Sequence, residues 1–547
     1  MIYTSKKWSG RAITASGMSA FFIFGSLFAA SGAVYISNNG GFALSLPYNM
    51  LYLMVIGTGV VYLSIISGGR KGIDKLSLLI ILSTVIFASP WFIQRPDEPG
   101  VWGVAFVLCL YVFLAKLEIN HNQQKIIYEI IFFLAIFQAV IGLIQFFLPD
   151  TAMAFFEYSW QKNAGRPYGI FQQVNLYASF IATGLGCGYL VLLREIRVSR
   201  VLLFVSGLCL LVFVLTLNQS RTGGLGALII IFLLSLLCGR VSPGKTILYL
   251  SAMAASYYIA LLFIDLNHTE RGYESSTIER WNVATTTWQM IQAKPFLGWG
   301  YGTFEYEYSR YILNNTTLPY NVLKHPHNEF LYTWFQGGII AAMGLILLAI
   351  CWILMVIRAC RYSFYHTSSC MLILPLVLHC CLEFPFYQSL LHFSLFALLL
   401  RMGQFTHNEV MPDKSSKPFR SLGVIFGLSL VIFSSVTLYT GIQLTRLERE
   451  GLVTFPHSIP WYYNTQNERV HFDKMLSLLI RYNKEHEPAL LDKFIVEAEE
   501  WSGRHNDKNV YRSLIMIYHY RNDVEKLNEY YKLYDDMFVK KHIIQEE

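Results

Sequence analysis

The sequence predicts an all-α, polytopic membrane protein, with about thirteen transmembrane helices, one large outer loop and a helical C-terminal domain. Three observations lead there. Of the 547 residues, 54% are hydrophobic and only 14% charged, a balance outside the range of soluble domains. Apolar runs of 18 or more residues recur along the chain, each long enough to cross hydrocarbon as a helix. The short alternating segments of an outer-membrane barrel do not occur.

The expected spans are 12–36, 47–67, 75–93, 101–117, 125–148, 169–193, 201–218, 222–238, 246–265, 330–357, 369–383, 387–404 and 419–441. The basic N-terminus Met1–Arg11 precedes an apolar stretch too long for the core of a signal peptide, so this stretch reads as a retained first helix. Orientation follows the Lys and Arg of the loops. With the N-terminus on the cytoplasmic side, the inner segments hold most of these residues. The short outer loops hold only Arg95, Lys162, Arg166 and Arg221. An odd number of spans then puts loop 266–329 and tail 442–547 outside. The division expected is a membrane domain, 1–441, and an outer domain, 442–547.

The tail changes character. Segments 472–482, 489–501, 510–520 and 524–539 carry Leu, Ile and Tyr at helical spacing among many charges. They read as short helix pairs of TPR-like size, serving either as a cap on the membrane domain or as a docking surface for an acceptor. The nine cysteines all lie in or beside apolar segments and form no CxxC spacing. Neither a disulfide framework nor a zinc site is expected. The net charge of +7 is spread over short loops, which argues against a nucleic-acid partner.

Polar residues at membrane edges carry the chemistry. Lys324-His325-Pro326-His327-Asn328-Glu329 runs into an apolar helix. His327 reads as a general base at the outer face, as a satisfied structural histidine, or, with His325, as part of a metal site that lacks a third ligand nearby. Arg221, in Ser220-Arg221-Thr222-Gly223-Gly224, is either an interfacial arginine or a phosphate clamp, since guanidinium suits phosphate oxygens. Arg280-Trp281 opens an amphipathic stretch that ends in Pro295-Phe296-Leu297-Gly298-Trp299-Gly300-Tyr301-Gly302. That half reads as an ordered loop at the membrane interface, with a faint likeness to a phosphate loop. Arg166, Gln173 and Asn175 stand at the entrance of the sixth span, as caps or as hydrogen-bonding groups for sugar or phosphate. His379, Glu383 and Pro385 make a further polar break.

These stretches resemble the bacterial O-antigen ligase/O-antigen polymerase superfamily, and most of all the protein O-oligosaccharyltransferases of the PglL type. His327-Asn328, nine residues and Gly338-Ile339-Ile340-Ala341 are similar to the ligase motif, with Ala341 where the family has Gly, Thr or Tyr. Gly165-Arg166 through Gln173-Val174-Asn175, Ser220-Arg221, Arg280-Trp281 with Pro295–Gly300, and His379…Glu383-x-Pro385 follow in the family's order over about residues 160–405. The resemblance implies a bacterial inner-membrane enzyme whose outer face is periplasmic. It also implies transfer of a glycan from undecaprenyl pyrophosphate to an acceptor hydroxyl, without metal, nucleotide or other cofactor. Arg221 and Arg280 would hold the pyrophosphate and His327 would serve the acceptor hydroxyl. His325, Asn328, Arg166, Gln173, Asn175 and Glu383 would support the site or bind substrate.

The reading expected first is transfer to Ser or Thr of a pilin-like periplasmic protein. Transfer to lipid A core and O-antigen polymerisation are alternatives. A transporter or flippase is the contrasting class, but the chain lacks the internal repeats and mid-span charges that it would need.

Overall fold

The computed structural model describes residues 15–38, 43–66, 69–70, 72–117, 119–238, 242–266, 274–315, 323–404, 412–413 and 417–539. The basic segment Met1–Arg11 and the loop charges Lys71, Arg240, Arg271 and Lys414 lie outside the described residues.

Each expected span coincides with helix. The first nine are α1 (Ala15–Ala33), α2 (Pro47–Ile66), α3 (Lys75–Gln94), α4 (Pro99–Lys116) and α5 (His121–Phe147), then, after the short α6 (Pro149–Phe156) and α7 (Trp160–Asn163), α8 (Val174–Leu192), α9 (Val198–Asn218), α10 (Arg221–Cys238) and α11 (Pro243–Leu266). The loop expected to lie outside contributes α12 (Glu274–Ala293) and α13 (Phe304–Asn315). The membrane body resumes with α14 (Glu329–Cys360), α15 (Phe364–Met371), α16 (Leu374–Leu382), α17 (Pro385–Gln388), α18 (Leu390–Gly403) and α19 (Lys417–Arg449). Four tail helices follow: α20 (Asn467–Glu485), α21 (Pro488–Ser502), α22 (Lys508–Tyr520) and α23 (Val524–Tyr534). Among the described residues, nine helical stretches are long and apolar enough to cross a membrane, and four shorter apolar helices accompany them. The protein is an all-α, multi-pass membrane protein. Its strand content among the described residues is a two-residue antiparallel pairing of Gly69–Arg70 with Pro412–Asp413.

Local chemistry sets the helix ends. Asp74 caps α3 by accepting from the Leu76 and Ser77 amides, and Asn120 with Gln123 forms a capping box on α5. The expected sixth span starts five residues late, at Val174, because Gln173 turns the chain in and caps α8 at the Leu176 amide. The eleventh is divided between α15 and α16, where Pro375 removes a helical donor. The twelfth begins at Leu390 behind the extended cap Ser389.

Helix α8 is the axle of the body, buried along nearly its whole length against α5, α9, α10 and α16. Helices α2 and α19 cross at Gly57 and Gly427, where each glycine faces the other's carbonyl, the small-residue contact that lets membrane helices approach closely. The last span runs on past its expected end at 441. Leu444 of α19 packs with Leu452, Phe455, Tyr463 and Val470, so a continuous helix enters the tail.

The tail helices share their own core around Phe494, Trp501, Tyr511 and Leu514. They are fastened to α13. Asn506 donates its backbone N–H to Glu305 Oε1 at 2.8 Å, and its Nδ2 donates to the Glu305 carbonyl at 2.8 Å and to Ser309 Oγ at 2.7 Å. Burial alone would raise the Glu305 carboxyl, but the His505 and Asn506 hydrogen bonds hold it below the usual range. Arg95, Asp97 and Glu98, between α3 and α4, meet Gly302 and the tail residues Glu468 and Arg504 at this same end. A cluster of Lys125, Glu129, Glu195 and Arg200 joins the loops on which the inner-side charges were expected.

Candidate active site

Helix α14 is the foundation of the site. Asn328 caps it, its Oδ1 accepting from the Leu331 amide at 3.0 Å and its Nδ2 donating to the Cys381 carbonyl at 3.1 Å. Asn328 therefore ties α14 to the end of α16. Its neighbour His327 adopts φ 55°, a left-handed conformation that costs a non-glycine residue about 1–2 kcal/mol. That turn aims the His327 N–H at His325 Nδ1, 2.9 Å away, and the imidazole at Glu383.

Glu383 is the hub. Its Oε2 lies 2.8 Å from His327 Nδ1. Its Oε1 accepts from Asn175 Nδ2 at 3.2 Å and pairs with Arg280 of α12. Asn175 Oδ1 accepts from Ser220 Oγ at 2.8 Å, and Ser220 Oγ accepts from the Gly223 amide at 3.3 Å, just inside α10. One hydrogen-bonded chain thus links the starts of α8, α10 and α14 with α12. Arg221, the first residue of α10, donates to Thr277 Oγ1 of α12 at 2.7 Å. Arg166 donates Nε to the Asn218 carbonyl at 2.9 Å, while Asn218 Nδ2 holds the Pro167 carbonyl at 2.7 Å.

Between these groups is a polar cavity of about 320 Å³, lined by Arg166, Arg221, Arg280, Gln173, Asn175 and Glu383, together with Asn163, Gln172, Val174 and Thr222. A separate apolar cavity of about 440 Å³ is lined by Glu329, Phe330, Cys380 and Cys381, close in sequence to His327 and Glu383, and extends among Trp91, Val104, Leu348 and Phe396. The first is built for an anion with hydrogen-bonding substituents, the second for hydrocarbon.

Six of the nine expected site residues line the polar cavity, and His327 borders it through Glu383. Asn328 and His325 are supports. His325 is buried, only 4% exposed, between the Tyr332 and Phe384 rings, with Nε2 3.6 Å from Glu329 Oε2. Burial, and then the charge of His327, pushes His325 well below the usual histidine range, so it stays neutral and accepts at Nδ1. His379 is outside this group, bonded through Nδ1 to Ser179 Oγ at 2.7 Å. Sequence reasoning did not single out Asn163 or Thr277, and no spacing marks either one. Gln172 is half of a Gln-Gln pair, and only its positive φ of 56° distinguishes it.

The glycine-rich loop after α12 is not an anion cradle. It docks on α14, which is not the single helix expected. At Gly338 the backbone leaves helical geometry, with φ 62° and ψ −157°. The loop satisfies the opened backbone. Trp299 N–H donates to the Phe335 carbonyl at 2.7 Å, Gly300 N–H to Gln336 at 3.1 Å, and Ile339 N–H to Phe296 at 3.2 Å. Gly298 at φ 73° abuts the Phe335 and Gln336 carbonyls, where a side chain has no room.

Residues 205–346, which hold Arg221, Arg280, His327 and Gly338, match the family model for O-antigen ligase, and residues 167–188 match the model for protein glycosylation ligase. Over these residues the chain is similar to O-antigen ligases and to protein glycosylation ligases. The chain is 35% identical over 65 residues to an O-antigen ligase of Salmonella typhimurium strain LT2, a stretch covering 12% of this chain and 16% of that protein. Its ligase match begins in α9 and ends in α14, so it contains the docked loop and the break at Gly338.

Proposed function

We propose that this protein transfers a glycan from undecaprenyl pyrophosphate to a Ser or Thr hydroxyl of a pilin-like periplasmic protein. The observation that carries the reading is the gathering of Arg166, Arg221 and Arg280, from distant parts of the chain, around one cavity bordered by the His327–Glu383 pair. In this reading the chain is a bacterial inner-membrane protein with its active site on the periplasmic face. Residues 1–441 form the transferase domain, including loop 266–329, and 442–547 form a periplasmic helical domain that presents the acceptor.

The geometry supports the following chemistry. Arg221 and Arg280 hold the pyrophosphate and offset the charge that grows on it as it leaves. The apolar cavity receives the prenyl chain next to the headgroup. With Glu383 ionised, His327 carries its proton on Nδ1 and presents the Nε2 lone pair to the acceptor. The acceptor oxygen bonds the anomeric carbon as its O–H proton passes to Nε2. The carbon–oxygen bond to phosphate breaks, and undecaprenyl pyrophosphate departs with the electron pair. This single displacement inverts the anomeric centre.

A second reading, transfer to lipid A core, is favoured by the O-antigen ligase match over residues 205–346 and by the Salmonella relative. Expressing the chain with a lipid-linked glycan, in cells that offer both a pilin and lipid A core, separates the two. The pilin is expected to gain the glycan's mass, and His327→Ala to abolish the gain. Mass gained by the lipid A core alone would establish the second reading, and gain in neither would overturn both.

A further inference from the structure

Glu383 occupies a position that an auxiliary carboxylate does not need to occupy. A carboxylate placed only to orient His327 has no use for a guanidinium on its other oxygen. One placed only to hold Arg280 has no use for the imidazole. Here Oε2 serves His327 and Oε1 serves Arg280 and Asn175. The carboxylate itself is buried, with 9% of its side chain exposed, whereas Arg280 and His327 keep 32% and 26% open. Both partners are therefore reachable by ligand while the carboxylate between them is not.

We infer that Glu383 is a positioning residue that couples donor binding to the readiness of His327: the donor's pyrophosphate takes Arg280 from Glu383 and leaves the carboxylate's charge to His327. This inference rests on the donor reading above. Before the donor arrives, Arg280 neutralises Glu383, and His327 has only a weakened acceptor at Nδ1. When phosphate oxygens compete for the guanidinium, they offer a bidentate partner of higher charge. Glu383, still held by Asn175, then faces His327 with its full charge and favours the imidazolium that forms as the acceptor gives up its proton. Among the described residues, the titratable and charged groups placed against His327 are Glu383 at the end of α16, Arg280 of α12 across that carboxylate, and His325 on its own loop at a ring separation of 6.4 Å. His325 is held neutral, so the switch lies between Glu383 and Arg280. The arrangement makes the order of binding productive: a hydroxyl that enters before the donor meets a poor base, so the acceptor is not activated without a glycan to receive.

The test measures inorganic pyrophosphate binding, glycan transfer and the pH midpoint of His327 carbethoxylation by diethylpyrocarbonate, read by mass spectrometry on the full-length protein in detergent. Glu383→Gln keeps the shape and removes the charge. It is expected to bind pyrophosphate about fivefold more tightly, since Arg280 is no longer held by a charge, and to transfer glycan much more slowly. A residue with a merely structural role would weaken both, and weakened or unchanged pyrophosphate binding in Glu383→Gln overturns the coupling. In the wild type, pyrophosphate is expected to raise the His327 midpoint by about one pH unit, and in Glu383→Gln by much less. Equal shifts in the two proteins overturn the coupling. Arg280→Gln offers an independent arm: without pyrophosphate its His327 midpoint is expected to match that of the pyrophosphate-bound wild type, and a midpoint equal to the free wild type overturns the coupling. Failure of the wild type to bind pyrophosphate at all overturns the donor reading itself.

Discussion

Gly338 and Phe296 meet backbone to backbone: the Phe296 carbonyl fills the space where a Gly338 side chain would stand, and it accepts the next amide, Ile339, at 3.2 Å. Helix α12 carries Arg280 in its first half, and the loop that ends it is pinned at this break, about three helical turns beyond the Asn328 cap. The contact holds α12 along α14 and so sets where Arg280 can reach. The glycine of the ligase motif is thus part of the site's scaffold.

Gly338→Ala tests this directly. Its φ and ψ are open essentially to glycine alone, and the backbone strain is worth about 1–3 kcal/mol before the clash with Phe296 is counted. We expect a lower melting temperature in detergent and loss of transfer. Ile340→Ala, two residues on and exposed, should behave like the wild type in both assays. Equal stability of Gly338→Ala and the wild type would remove the scaffold role.

Arg221→Lys keeps the charge at the start of α10 and loses the planar two-pronged contact. Transfer is expected to fall about 10²-fold, the usual effect of removing one donor to a developing anion, with the protein still inserted and folded. Wild-type rates in this variant would exclude Arg221 from the clamp.

His325 supplies a pH dependence. Its pKa in the folded protein is depressed by burial and then by His327. Below about pH 6.5 the unfolded chain therefore takes up a proton that the folded chain refuses. The stabilising contribution is complete above that pH and is lost as the pH falls, by about 1.4 kcal/mol per unit. Melting temperatures measured from pH 8 to pH 5 should decline on the acid side. His325→Asn retains an acceptor for the His327 N–H and cannot charge, so its decline should be shallower. Parallel curves for the two proteins would show that His325 is not the group responsible.

Asn506→Ala removes the two side-chain hydrogen bonds by which the tail grips α13. The Glu305 carbonyl and Ser309 hydroxyl lose buried partners, at about 1–3 kcal/mol in all. Limited proteolysis should cut between α19 and α20 sooner than in the wild type. If the tail presents the acceptor, transfer to protein should fall while pyrophosphate binding stays unchanged.

The sequence by itself determined the membrane class, the places of the helical stretches and most of the polar residues that line the cavity. These are one-dimensional signals: apolar runs of span length, a helical period in the tail, and Arg, His and amide residues standing where apolar runs stop. Arg221 and His327 were legible because a polar group at a membrane edge requires a reason. Their roles had alternatives that spacing could not separate.

Only the tertiary structure decided what those residues do to one another. Glu383 could be read as a polar break before Pro385, but its place between His327 and Arg280 depends on α12, α14 and α16 converging, and no local preference encodes that convergence. The same holds for Gly338. Its position in a motif was visible, but the helix opens there because a loop forty residues earlier in the chain supplies backbone partners for the groups set free. The left-handed turn of His327 is likewise held by His325 Nδ1 and Glu383 rather than by its own preference. Helix formation follows from each segment's apolar pattern and its hydrogen bonds to itself, so the sequence can announce it. A site assembled from the ends of several helices is fixed by long-range packing, and there the folded chain alone chooses the partners.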